Sequence, residues 1–274
     1  MTTWFITGTS SGFGRRLTEL LLERGDRVAA TLRRPETLDE LRARHGDRLW
    51  TAQLDVTDAS AVRTVTDKAF AAFGEIDVIV NNAGYGVFAA AEEASDEQIE
   101  RVIDTNLLGS VRVIRAALPH LRAQGHGRIL QISSAGGQTA YPNFSHYHAS
   151  KWGIEGFCET LALEVAPFGI GVTIVQPGAT PTGFGGALDR GPVMPEYAGT
   201  PAAQVREAVD GGSFVLPNDP EKIVRAIIAL IDSGESPVRL PLGTDTYHDV
   251  HATLTAHLAE LEAQRETALS VGSG

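Results

Sequence analysis

"WFITGTSSGFG", residues 4–14, joins a short apolar run to a glycine-punctuated loop. "WFIT" (4–7) is bulky and β-branched and reads as a buried strand, whereas residues 13–24 read as an amphipathic helix. The intervening "TGTSSGFG" (7–14) carries Gly8, Gly12 and Gly14 in the spacing G-x-x-x-G-x-G. A strand that passes through three glycines straight into a helix opens a βαβ unit, and the rest of the chain keeps that rhythm. "RVAATL" (27–32), "LWTAQLD" (49–55), "IDVIVNN" (76–82), "GRILQIS" (127–133) and "GVTIVQP" (171–177) read as further buried strands. Helix candidates lie between them near 36–44, 58–73, 95–123 and 146–166. Strand–helix alternation implies right-handed crossovers and a parallel sheet covered on both faces. The expected fold class is α/β: a doubly wound parallel sheet in a single domain spanning 1–245, with ligands at the carboxyl ends of its strands.

After Pro177 the rhythm breaks. Residues 183–217 are rich in glycine and proline and too long for an ordinary connection. They read as a mobile lid or substrate loop, with a short helix near 201–209. A helix at 219–233, a strand near 237–241 and a last amphipathic helix follow, the helix over 246–268. Val250, Leu254, Leu258 and Leu261 share one face of it. The tail 269–274 is expected to be disordered.

The composition suits a core-forming globular chain, with 43% hydrophobic and 21% charged residues. A net charge of −11 argues against general nucleic-acid binding and against adhesion to an anionic membrane. The one cysteine, Cys158, rules out an internal disulfide and reads as a small core residue. No basic segment leads into a long apolar one, and no run approaches a membrane span. A soluble cytoplasmic protein is the expectation.

The glycine loop has a chemical reading. Gly8, Gly12 and Gly14 let the backbone approach a pyrophosphate, and the following helix offers free amides and a positive dipole end. Ser10 and Ser11 add hydroxyls, and Phe13 lies between the last two glycines. The second strand would ordinarily end in an acid that holds a ribose hydroxyl. Here Leu32 stands there, followed by Arg33 and Arg34. A guanidinium clamps a 2′-phosphate that an acid would repel, so Arg33 favours NADP (NADPH) over NAD. Asp55 and Val56 after the third strand, and Asn82, Ala83 and Gly84 after the fourth, fall where adenine and ribose would lie. Each segment alone is also ordinary turn chemistry.

"YHASK" (147–151) places Tyr147 and Lys151 on one helical face. A free tyrosine has a pKa of ~10, and a fixed ammonium nearby favours the phenolate. Bringing it to roughly 7 takes about 4 kcal/mol, at ~1.4 kcal/mol per unit. Lys151, together with the positive charge of an oxidised nicotinamide, is suited to supply that. Ser134, just past the strand "ILQIS", can orient a substrate carbonyl or alcohol. Asn106, inside the long fourth helix, can bend it and hold a water that links Lys151 to solvent. A tyrosine–lysine pair alone is usually a surface coincidence; the nucleotide loop and Ser134 reverse that reading.

With these pieces in order, the chain resembles the short-chain dehydrogenase/reductase family over residues 3–240. The resemblance rests on "TGTSSGFG", "LDV" (54–56), "NNAG" (81–84), "TN" (105–106), "SSAGG" (133–137), "YHASK" and "PGATPT" (177–182). It implies a Rossmann-type fold and a catalytic group of Asn106, Ser134, Tyr147 and Lys151. It implies that Tyr147 and Lys151 also contact the cofactor, Lys151 through the nicotinamide ribose. It implies that Pro177, Gly178 and Thr182 flank the nicotinamide, Thr182 on its carboxamide, with Thr180 among the cofactor contacts. "NNAGYGVF" and "LEVAPFGIGVTIVQPGATPTGF" are similar to a subgroup related to 17β-hydroxysteroid dehydrogenases, which does not establish a steroid substrate. The resemblance also implies a homodimer or homotetramer packed through the helices near 95–123 and 146–166.

His148 departs from the small residue or cysteine frequent there. It is expected to face solvent at the mouth of the site, a substrate contact being the other reading. Gln131 and Gln176 are read as non-catalytic, and no metal is expected. Phe88, Tyr141, Phe144, Phe184, Met194 and Phe214 suggest a largely apolar substrate pocket. The reading is an NADP(H)-dependent oxidoreductase acting on a small-molecule carbonyl or secondary alcohol. The competing reading is an NADP-binding regulatory protein on the same fold; epimerisation or dehydration is disfavoured by the lack of a large C-terminal substrate domain.

Overall fold

Trp4, Phe5 and Ile6 are fully buried in β1 (Thr3–Thr7) and alternate between two apolar layers. The computed structural model describes residues 1–272. In it, β1 is an interior strand, next to the central one, of a seven-stranded sheet flanked by helices. The strands are β2 (Arg27–Leu32), β3 (Leu49–Gln53), β4 (Val78–Asn81), the short β5 (Val87–Phe88), β6 (Gly127–Ile132), β7 (Ile170–Pro177), the short β8 (Asp189–Arg190) and β9 (Arg239–Leu242). The large sheet runs β3-β2-β1-β4-β6-β7-β9, and β5 pairs with β8 apart from it. All pairings are parallel. Strand order reverses between β1 and β4, which opens a crevice at their carboxyl ends.

The helices are α1 (Gly12–Glu23), α2 (Asp39–His45), α3 (Ala59–Phe73), α4 (Asp96–Ile103), α5 (Ser110–Gln124), α6 (Ser145–Val165), α7 (Pro201–Asp210), α8 (Pro220–Ser233), α9 (Thr244–Ala263) and α10 (Arg265–Ser270). Phe5, Ile79, Ile129 and Ile174 pack with Val62 of α3, Ile114 of α5 and Ile154 of α6. Trp4, Ile6, Val80 and Leu130 face the other way, onto Leu17 and Leu21 of α1 and Ile227 of α8. Cys158 is buried in the first layer, and burial pushes its thiol up to about 12.

Four expectations need correction. The helix expected over 95–123 is α4 and α5 joined by a π-helical turn, Asp104–Gly109, which carries Asn106. The helix expected over 36–44 begins as a 3-10 turn, Pro35–Leu38, that leads into α2. The last helix, expected unbroken over 246–268, is divided at Gln264 into α9 and α10; on its apolar face Val250 is buried, while Leu254, Leu258 and Leu261 are exposed. The tail expected to be disordered from 269 is helical in α10 as far as Ser270; residues 273–274 lie outside the described residues. The stretch 183–217 contains β8 and α7, the latter where a short helix was expected.

Candidate active site

The glycine loop is tied to three strand ends. The amides of Gly8 and Thr9 donate to the Thr31 carbonyl at 2.9 and 3.2 Å. Gly8 and Gly12 hold φ at 70° and 56°, where glycine is at no steric cost. Asn82 Nδ2 donates to the carbonyls of Thr7 and Gly8 at 2.9 and 3.0 Å. Thr7 Oγ1 accepts from the amides of Asn82 and Ala83, each at 3.0 Å. A Cβ on Gly14 would overlap Asn82 Nδ2. Asn82 therefore fixes the loop from behind. No side chain caps α1 at Ser11, so its first amides have no partner within the helix. Ser10 and Ser11 are exposed beside them, and Phe13 packs onto the apolar layer under α1.

At the end of β2, Leu32 is buried and Arg33 is exposed, with no hydrogen bond or ion pair among the described residues. Asp55 lies nearby. Burial works against its charged form, but the amide and hydroxyl of Thr57, at 3.0 and 2.7 Å, and the Arg33 charge hold its pKa below the ordinary value. Val56 turns its side chain into the core, where its Cγ2 leaves no room for a Cβ on Gly109.

On the opposite wall, Pro177 ends β7 and a tight turn follows. The Gly178 amide donates to Leu242 O at 2.9 Å, and the Ala179 amide to Asp245 Oδ2 at 2.7 Å. Asn218 Nδ2 donates to Asp245 Oδ1 at 2.7 Å and to Ala179 O at 2.8 Å. Thr180 Oγ1 donates to Gly178 O at 2.8 Å, and the Thr182 amide to Thr180 O at 2.8 Å. A Cβ on Gly12 would lie 3.9 Å from Thr182 Cβ, so this turn stands across from the glycine loop.

Between these walls α6 presents Tyr147 and Lys151. The Lys151 ammonium is 5.6 Å from the Tyr147 ring centroid and donates to Ile132 O at 2.9 Å. Ser134 follows β6, its Oγ accepting the Gly136 amide at 3.1 Å. Asn106 Oδ1 accepts from the Tyr85 amide at 3.1 Å; its Nδ2 donates to Tyr85 O at 2.9 Å and to Ser150 Oγ at 3.1 Å. A Cβ on Gly84 would sit 3.0 Å from Asn106 Oδ1 and 3.9 Å from Lys151 Nζ. The structure thus brings Asn106 and Lys151 together at Gly84. The Asn106 side chain also clamps residue 85, its oxygen on the amide and its nitrogen on the carbonyl.

The electrostatics depart from the sequence reading. Burial pushes Tyr147 up to about 12, with the Ser134 hydroxyl opposing and Glu155 adding to the rise. Burial pushes Lys151 down to about 8, and Glu155 opposes that fall. Both groups are removed from water, and desolvation disfavours each charged form; the expected lowering of the phenol also drew on the positive charge of an oxidised nicotinamide, and these residues by themselves do not strike that balance.

Tyr147 belongs to an aromatic cluster. Phe184 lies 5.6 Å and Phe144 6.0 Å from its ring, and Phe88 packs on Phe144 at 5.0 Å. His148 is buried, not solvent-facing. Its ring is held between Phe144 and Tyr141 at 5.9 and 5.6 Å, and burial pushes its pKa down to about 4. Phe214 is half-exposed and joins no aromatic contact among the described residues.

Residues 183–217 are anchored by Glu93. Its fully buried carboxylate meets Arg206 of α7 at 2.5 Å and accepts the amides of Met194 and Ala90 at 2.9 and 2.8 Å. These acceptor bonds and the Arg206 charge outweigh burial and lower its pKa. Glu93, Asp245, Asn218 and Glu155 went unread in the sequence, since each acts through partners distant along the chain. The one available signal was Glu155, a charge one turn beyond Lys151 on an otherwise buried helical face.

A doubly wound sheet with a crevice where its strand order reverses is the architecture of nucleotide-binding folds. Residues 2–191 match the short chain dehydrogenase family model, and the chain belongs to that family. It is 36% identical to Oxidoreductase BOA17 of Botryotinia fuckeliana over 97% of this chain and 98% of that protein. A short-chain dehydrogenase from Streptomyces avermitilis shares the fold at a TM-score of 0.91 and 38% identity, over 99% of this chain and 100% of that one. The closed form of a serine dehydrogenase complexed with NADP+ superposes at a TM-score of 0.75 and 29% identity, over 88% and 94% of the two chains. Among the described residues, no helix is long and apolar enough to cross a membrane.

Proposed function

We propose that the chain is an NADP(H)-dependent oxidoreductase that interconverts a small, largely apolar carbonyl compound and its secondary alcohol. The observation that carries this reading is the convergence of Tyr147, Lys151 and Asn106 beside a glycine loop that has no room for a side chain at Gly8 or Gly14. The loop fits a dinucleotide: positive-φ glycines, an uncapped helix start and the exposed hydroxyls of Ser10 and Ser11 form a cradle for phosphate oxygens. Asp55, the main chain at Val56, and Ala83 and Gly84 line the adenosine side. The turn from Pro177 to Thr182 lines the nicotinamide side. Arg33, unpaired and exposed, supports a 2′-phosphate and hence NADP. When bound, the nicotinamide supplies or accepts the hydride.

The protein's own part is acid–base chemistry. In reduction, Tyr147 gives its phenolic proton to the substrate oxygen while Ser134 donates a hydrogen bond to the same atom. Lys151 keeps a positive charge near the phenol so that the phenolate left behind is stabilised. Asn106 holds the chain at Tyr85 and buttresses Ser150 on α6. Residues 183–217 act as the substrate cover, Phe184 closing over Tyr147. By the family resemblance, the helical run 96–124 and α6 assemble a homodimer or homotetramer; Leu108 and Trp152 stand exposed on them.

NADPH oxidation measured against a panel of aliphatic and aromatic ketones and aldehydes tests the reading. Turnover that is lost in Tyr147→Phe supports it. A regulatory protein without catalysis would bind NADPH and turn over nothing in the panel.

A further inference from the structure

Glu155 is 98% buried by residue and lies one helical turn beyond Lys151. Every group it touches is a donor. Ser133 Oγ donates at 2.6 Å to Oε1; Gln176 Nε2 lies 3.0 and 2.9 Å from the two carboxylate oxygens; Arg239 Nε lies 3.4 Å from Oε2. Arg239 also pairs with Glu159 at the surface. A Cβ on Gly137 would overlap Glu155 Oε1, so the backbone that follows Ser134 rests directly on the carboxylate. Ser133 and Gly137 bracket Ser134. The ionisable groups around Glu155 are Tyr147, Lys151 and Cys158 on its own helix and Arg239 on β9. Burial raises the Glu155 pKa above the ordinary carboxylate value, and the donors of Ser133 and Gln176 and the Arg239 charge oppose that rise; a shell made of donors favours the anion.

We infer that Glu155 is a positioning residue of the proposed active site: its buried carboxylate keeps Lys151 an ammonium and pins the main chain that carries Ser134. The inference rests on the proposed roles of Lys151 and Ser134, yet its electrostatic half stands without them. A negative charge one turn away favours the charged form of a lysine that burial would otherwise neutralise. Gln131, by contrast, leaves its Oε1 buried and without a partner, so strand polarity alone does not create this network.

The chain has three lysines, Lys68, Lys151 and Lys222. Carbon-13 lysine labelling therefore lets NMR follow the Lys151 ammonium alone, with Lys151→Met as the assignment control. Glu155→Gln keeps the shape and removes the charge. It should lower the Lys151 titration midpoint by roughly one pH unit, whereas Glu155→Asp should hold it near the wild-type value. Gln176→Leu removes the donor to both carboxylate oxygens without changing any other charge, favours the protonated Glu155 and should lower the midpoint as well. An unmoved midpoint in Glu155→Gln overturns the inference. Where that variant does not fold, an unmoved or raised midpoint in Gln176→Leu overturns it. Turnover of Tyr147→Phe is scored separately. Its persistence would sink the catalytic reading while leaving the lysine titration interpretable.

Discussion

Lys151 holds its ammonium 5.6 Å from the centre of the Tyr147 ring and spends one donor on the Ile132 carbonyl. The pair is buried together, so the phenol is a proton reservoir rather than a surface group. General acid–base catalysis contributes roughly 10²–10⁴-fold. Tyr147→Phe should lower kcat by about that factor and change the NADPH dissociation constant less than about threefold. Steady-state kinetics and fluorescence titration decide it; near-normal kcat would refute the role of the hydroxyl.

The alkaline limb of carbonyl reduction should belong to Lys151. Tyr147, pushed up to about 12, stays protonated across the working range, whereas Lys151, pushed down to about 8, does not stay charged. Reduction rates should fall as pH rises through about 8. A kcat profile flat well above that value would show that the lysine charge is dispensable.

His148 makes a stability prediction. Its folded pKa, about 4, lies below its ordinary value of 6.5. The unfolded chain binds the extra proton between those values, so stability is present above 6.5 and drains as pH falls towards 4. The loss is on the order of 2–3 kcal/mol. Thermal melts of the wild type and His148→Phe should converge, or cross, on acidification; parallel melting curves would contradict a buried neutral imidazole.

The proposed preference for NADP is tested at Arg33. Charge-assisted bonds to phosphate contribute about 1.5–3 kcal/mol each. Arg33→Asp should therefore reduce kcat/KM for NADPH by roughly 10–100-fold and leave NADH within a few-fold. Equal losses for both nucleotides would remove the case for NADP.

The Glu93–Arg206 pair should matter more than a surface ion pair. With the carboxylate fully enclosed, Arg206→Ala leaves a buried charge unpaired, at a cost of about 3–5 kcal/mol locally. The expected result is a higher KM for carbonyl substrates with the central sheet intact by circular dichroism. Unchanged KM would separate this anchor from substrate binding.

The sequence made the sheet readable because β1, β2, β6 and β7 are short apolar runs whose neighbours are helices of clear period. It made the Tyr147–Lys151 face readable because helical spacing is local. It concealed what depends on folding at a distance. Asp245 and Asn218 meet the Gly178 turn from the chain's last third, and Glu93 meets Arg206 across the crevice. The burial of the Tyr147–Lys151 pair has the same origin: spacing shows that an ammonium is near, but only the fold shows that both partners lose water. His148 looked like a solvent group for want of Tyr141 and Phe144, which close over it.

The two-residue pairing of β5 with β8, Val87 beside Asp189 and Phe88 beside Arg190, sets an order of events. Its partners are separated along the chain by α4, α5, β6, α6 and β7, so loop closure delays their meeting until that part of the sheet exists. A ladder of two residues has few backbone bonds to break. Amide exchange should therefore release Asp189 long before β1 or β4.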